Sequence, residues 1–153
     1  MPEQSPIAYQ IVRDLLQIGV FLQKTGNRIT RDFGLTQHQF TVLYEIAGND
    51  RMNQKQLVGE LLLEKSNVSK IVNFLQSEGL IQVIVCVDDA RSTRLSITED
   101  GNRIINDCRK ALQVWNTMWL EPLNENEIKA AGTVLDKLKK LIRSFGQQRS
   151  VRH

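Results

Sequence analysis

Cysteine is scarce in this chain: Cys86 and Cys108 are the two in 153 residues, too few for a disulfide framework or a metal-ligand cluster. Long apolar runs are missing too. No stretch approaches the roughly 18 to 20 residues that a membrane span needs. The opening MPEQSPIAYQ has no basic segment leading into an apolar core, which points to a cytoplasmic protein with no membrane partner. There is no glycine-rich cofactor loop, no internal repeat and no low-complexity linker. His38 stands outside any Cys-His-Asx or Ser-His-Asp spacing, so no catalytic residue, cofactor or metal is expected. An excess of one charge is lacking as well. The net charge of +3 and pI near 9.0 permit a polyanionic partner without demanding one. The basic run Lys137, Lys139, Lys140, Arg143, Arg149 and Arg152 reads either as a solvated face or as a binding patch.

What is present is periodicity. With 41% apolar and 24% charged residues the chain has the composition of a globular protein, and its length suits a single folding unit, 1–153. Ile7, Ile11, Leu15, Ile18, Leu22, Ile29 and Phe33 recur at helical spacing and predict one long helix ending near Gly34. Thr36 with Gln39, and Asn53 with Gln56, are capping-box pairs that open two shorter helices. The first is expected to bury Phe40, Leu43, Tyr44 and Ala47, and the second Leu57, Leu61 and Leu62. A turn leads into SNVSKIVNFLQSEGLI, whose stripe Val68, Ile71, Val72 and Leu75 is a buried face ending at Gly79. Leu80 to Val87 and Arg94 to Thr98 read as two strands of a hairpin around DDARST. Thr98 caps a further helix expected to bury Ile104, Ile105, Cys108, Leu112, Trp115 and Trp119 until Pro122 stops it. From Glu125 the last helix carries a seam of Ile128, Ala131, Leu135, Leu138, Ile142 and Phe145.

The fold class that follows is mainly α with a small β-hairpin wing, a winged helix-turn-helix flanked by N- and C-terminal helices. The helix after the turn is unusual on its outer side. Ser66, Asn67, Ser69, Lys70 and Asn73 are short hydrogen-bonding side chains with a single cation, where a solvated face normally carries Glu and Lys. Such residues fit a major groove: Asn pairs bidentately with adenine, Lys reaches guanine or phosphate, and Ser contacts either. The hairpin loop is placed to bring an arginine to an adjacent minor groove. Each of these residues also reads as plain surface, and Arg94 as a cross-strand rung of the hairpin.

At this level the chain resembles the MarR family of bacterial winged-helix regulators. GLTQHQFTVLYEIA is similar to its second helix, and MNQKQLVGELLLEKSNVSKIVNFLQSEGLI to its helix-turn-helix. DDARSTRLSITEDG carries the wing signature at Asp89, Arg91, Ile97, Thr98 and Gly101. The resemblance implies a DNA-binding module over 34–100 and a helical dimerisation region over 5–33 with 101–146. It implies a homodimer on a pseudo-palindromic duplex DNA operator, acting as a repressor released by a small molecule. Ser66, Asn67, Ser69 and Lys70 fall on groove-facing positions, Asn73 continues that face, Arg91 and Arg94 belong to the wing, and Asp89 orients it. Gln54 and Lys55 meet phosphate. Ile11, Leu15, Ile128, Leu135, Leu138 and Ile142 are the dimerisation residues; an intramolecular core is the other reading of that last seam. Phe21, Trp115 and Trp119 would wall a pocket for a small aromatic or anionic ligand, with Arg28 and His38 as carboxylate partners, or else belong to the core.

Two departures bear on function. Val83 and Ile84 follow the helix-ending Gly-Leu-Ile where relatives often carry basic residues, and Ala90 replaces a frequent wing arginine. Fewer phosphate contacts imply weaker binding with a shallower salt dependence. The alternative to DNA binding is therefore a winged-helix module that contacts another protein. Cys108, on an apolar stripe, reads as a buried spacer, and Cys86 has no nearby cation to activate it.

Overall fold

The computed structural model describes residues 6–86 and 93–150, without the side chains of 147–150. The wing tip, with the sequence-predicted Asp89 and Arg91, lies outside the described residues, as do Ser5 and Val87. Among those described, the order is α1 (Pro6–Thr30), a short 3-10 turn (Arg31–Phe33), α2 (Gln37–Ala47), α3 (Gln54–Leu61), α4 (Lys65–Ser77), β1 (Ile81–Val85), β2 (Thr93–Ile97), α5 (Glu99–Leu120) and α6 (Glu125–Ser150). The chain is a mainly α protein with a two-stranded antiparallel hairpin, as its patterning predicts.

Local chemistry sets the element ends. Thr36 Oγ1 accepts from Gln39 N at 3.1 Å while Gln39 Oε1 accepts from Thr36 N at 2.9 Å, and Asn53 with Gln56 repeats the arrangement at 2.8 and 2.9 Å. These reciprocal pairs satisfy amides that a helix start leaves without partners. Asn124 and Glu127 form the same reciprocal bonds ahead of α6, a pair the sequence reading did not single out. At the end of α4, Gly79 takes φ +70 and the amide of Leu80 donates to Leu75 O at 2.9 Å, closing the helix, and both leucines are buried.

The hairpin pairs Ile81 with Ile97 and Val83 with Leu95. It is tied down at mid-strand and at its base: Leu95 N donates to Met52 O at 2.7 Å, and Thr98 N to Leu80 O at 3.0 Å. The Thr98 hydroxyl donates to Gly79 O at 2.7 Å and accepts from Gly101 N at 3.1 Å, so one side chain joins α4, the wing and α5.

The buried core runs from Leu35 to Leu112 and is built around Leu43, Ile46, Leu57, Leu75, Ile81 and Leu95. All four stripe residues of α4 belong to it. Three expectations need correction. Tyr44 is 47% exposed, and Val42 and Ile46 take its place inside, because α2 packs against α1, α4, α5 and β2 at once and buries a broader face than one stripe. Leu62 is exposed: it ends α3 in the left-handed region at φ +56, which points its side chain off the core. Trp115 and Trp119 are half-buried, not enclosed. Phe74, which has no place on the α4 stripe, is half-buried against the core from its flank.

The long helices behave differently. Ile7, Ile11, Leu15 and Ile18 on α1, and Ile128, Leu135, Ile142 and Phe145 on α6, all stay at least 40% exposed within one chain. The seam of α6 is thus not an intramolecular core. No helix among the described residues is long and apolar enough to cross a membrane.

Candidate nucleic-acid interface and adjoining cleft

With Val68, Ile71, Val72 and Leu75 held inward, helix geometry turns Ser66, Ser69, Lys70 and Asn73 outward as one stripe at steps of three and four. Ser66, Lys70 and Asn73 are exposed, whereas Ser69 and Asn67 are half-buried at its edges. None of these side chains makes a hydrogen bond or ion pair among the described residues, so the whole set is available to an outside partner. The helix also begins one residue earlier than its sequence stripe suggests. This adds exposed Lys65, and no acidic residue falls between Lys65 and Ser77. The surface is therefore short, polar and mildly cationic.

Gln54 and Lys55 sit in the first turn of α3, where amides and dipole favour an anion, and Lys55 is exposed. Arg94 on β2 is exposed, and its cross-strand neighbour is Ile84, so it forms no charged rung. One contact unseen from sequence joins α3 to α6. Arg143 Nη2 donates to Glu60 O at 3.1 Å and lies 3.3 Å from Glu60 Oε2.

Elsewhere, α1, α2, α5 and the start of α6 line an open cleft of about 770 Å³. Trp115 lines it; Phe21 lies alongside, its ring 6.2 Å from those of both Trp115 and Trp119. Arg28 and His38 are not among the lining residues. Gln37, Tyr44 and Arg109 are, and none of them was expected at a ligand pocket from sequence. A signal existed for Gln37: a Cβ on Gly26 would collide with its amide, so that glycine marks where α2 crosses α1. Gln37 N also donates to Asn27 Oδ1 at 2.7 Å, fixing the crossing. Cys108, one turn before the cleft-lining Leu112, is fully buried, and burial pushes its thiol up to about 11, so it packs as an apolar spacer.

A buried-stripe helix with a free polar outer face, a preceding capped helix and an antiparallel wing define a winged helix-turn-helix protein. The sequence profile of the MarR family matches residues 33–92, from the end of the 3-10 turn to just before β2. A transcriptional regulatory protein for the hcr operon of Thauera aromatica is 28% identical over 127 residues, covering 83% of this chain and 74% of that one. A MarR family transcriptional regulator from Listeria monocytogenes, solved with a 26mer DNA, is 25% identical with a TM-score of 0.81, over 87% of this chain and 89% of its own. CouR from Rhodococcus jostii RHA1, bound to p-coumaroyl-CoA, shares the fold at 18% identity and a TM-score of 0.79, over 89% and 96% of the two chains. Over residues 33–92 the chain is similar to the MarR family, and its fold is that of winged-helix transcriptional regulators.

Proposed function

We propose that this regulator acts as a homodimer that binds a pseudo-palindromic duplex DNA site through α4, represses transcription there, and is released when a small molecule occupies the cleft. The observation that carries the reading is the outer stripe of α4: among the described residues, Ser66, Ser69, Lys70 and Asn73 have no partners, on a helix whose other side is locked into the core. Such a helix keeps its orientation while its readers engage base edges. Gln54 and Lys55 set the register on phosphate, and Arg91 and Arg94 extend the contact towards the minor groove. The Listeria relative, solved on DNA, supports this use of the fold, and CouR supports a small-molecule effector. The uncovered apolar faces of α1 and α6, including Ile11, Leu15, Leu135 and Ile142, support pairing with a second copy; Leu138, half-buried, lies in the same seam. In such a dimer the 34–100 module projects from a region made of 5–33 and 101–146.

Selection of binding sites from random duplexes at low salt tests the proposal. The expected outcome is a motif with two-fold symmetry and half-sites about 34 to 36 Å apart. Asn73→Ala should then relax preference at particular bases by about 1 to 3 kcal/mol, while Lys55→Ala should weaken all sequences evenly and lower the salt slope by about 1. Recovery of no symmetric motif would favour a module that contacts another protein.

A further inference from the structure

We infer that the basic C-terminal end of α6 is a second DNA-contacting element, which meets backbone phosphates next to those assigned to Lys55. It supplies cationic contacts that Val83 and Ile84 at the base of the wing do not. This rests on the reading of the protein as a DNA binder and adds a contact surface to it.

Charge is spread unevenly along the chain. From Lys137 onward stand six of the 20 Lys and Arg and none of the 17 Asp and Glu, so residues 1–136 are net negative. A basic end on an otherwise acidic chain suits a polyanion. The fold sets that end beside the DNA-binding module. Arg143 Nη2 donates to Glu60 O at 3.1 Å and lies 3.3 Å from Glu60 Oε2, which fixes α6 against α3. Arg143, Phe145 and Gly146 then line one groove of about 870 Å³ with Asn53, Lys55 and Gln56 from the start of α3. The charge of Arg143 is answered by Glu60, so its part is to hold α6 in place, and the phosphate contacts fall to the arginines that follow. By helix register Arg149 stands one turn beyond Phe145 on the same face, and Arg152 follows three residues later. With α6 helical to Ser150, the chain past Gly146 spans at most about 17 Å, so its end stays close to this groove. A duplex whose backbone meets Lys55 carries a phosphate charge for about every 1.7 Å of its axis, and several lie within that reach.

Fluorescence anisotropy of the full-length protein on a labelled mixed-sequence duplex of about 30 base pairs, from about 50 to 200 mM KCl, gives the slope of log affinity against log salt. Arg149→Gln with Arg152→Gln should flatten that slope by about 2 for each bound protomer. At the lowest salt the double variant should bind about tenfold or more weakly, on this duplex and on a selected symmetric site alike. Glutamine is close to arginine in helix propensity, and the sedimentation of the variant should match the parent. Lys129→Gln is the control: it removes one charge from the same helix about 21 Å before Arg143 and should leave the slope unchanged. The assignment is overturned if the double variant keeps the slope and affinity of a parent that binds, as it would if this end served an acidic protein surface. It is overturned equally if Lys129→Gln flattens the slope as much per charge removed, since bulk charge and not position would then be at work. Neither result touches the symmetric motif or the effect of Asn73→Ala. A parent that binds neither duplex defeats the DNA-binding reading itself, and this surface with it.

Discussion

Gly101 and Gly59 show how far the meaning of one residue type depends on its surroundings. Gly101 occupies the first turn of α5, where an added Cβ would collide with Leu80 O and crowd Ile97 Cγ1. Both belong to the joint through which Thr98 holds the wing against α4. Gly101→Ala should therefore destabilise the protein by about 1 to 3 kcal/mol, read as a lower urea midpoint. Gly59 lies inside α3 with open space around its Cα. Its replacement by alanine removes only chain freedom and should stabilise by about 0.5 to 1 kcal/mol in the same assay. Equal effects at the two sites would refute the packing argument. Cys108 gives a pH dependence of known sign. Its folded value of about 11 lies above the 9.0 of a free thiol, so the native state holds this proton more tightly. The associated stability is complete below about pH 9 and is lost as pH climbs towards 11. Replacing Cys108 with alanine should flatten that part of the stability-against-pH curve relative to the parent, and an unchanged slope would contradict it.

Helix ends are the most local features of the fold, and they were the most legible. The Thr36–Gln39 and Asn53–Gln56 boxes and the Thr98 cap need only side chains within four residues, so sequence spacing is enough to see them. Asn53→Ala should cost about 1 kcal/mol in unfolding experiments, with Asn53→Ser recovering most of it. If the two variants unfold alike, the cap contributes nothing. The α4 stripe was equally legible because one face of that helix is buried and one is free. Legibility fails where a helix has several neighbours or where backbone conformation breaks a residue-type rule. On α2 the stripe is broadened by packing on several sides, so periodicity chose Tyr44 over Val42 and Ile46. Leu62 adopts a left-handed backbone that its side chain does not advertise, so its apolar character misleads about burial. The proposed readers Ser66, Ser69, Lys70 and Asn73 could be picked out because they interrupt the usual surface composition. The cleft residues Gln37, Tyr44 and Arg109 could not, since their neighbourhood depends on how α1, α2 and α5 cross, which no local spacing encodes.

At the scale of the molecule, burial is lopsided: the core is complete from Leu35 to Leu112, while α1 and α6 leave whole rows of large apolar residues in water. Among the described residues of a single chain, no element covers them. Contiguous exposed patches of that extent mark association surfaces, and the two-fold symmetry of a closed dimer would let the α1 row and the α6 seam of each copy cover those of the other. The link from Arg143 to Glu60 ties the far end of α6 to α3 within one chain, so pairing through α6 would also set the separation of the two α4 helices. Dimerisation and DNA affinity should then fail together. Sedimentation at micromolar concentration is expected to give a dimer for the parent chain and a monomer for the double variant Leu135→Asp with Ile142→Asp. Each half-site bound alone forfeits the gain of linked binding, so operator affinity should fall by about 10² to 10⁴-fold while circular dichroism stays helical. A parent chain that sediments as a monomer would sink the arrangement. A variant that becomes monomeric yet keeps full operator affinity would sink the coupling of α6 to half-site spacing.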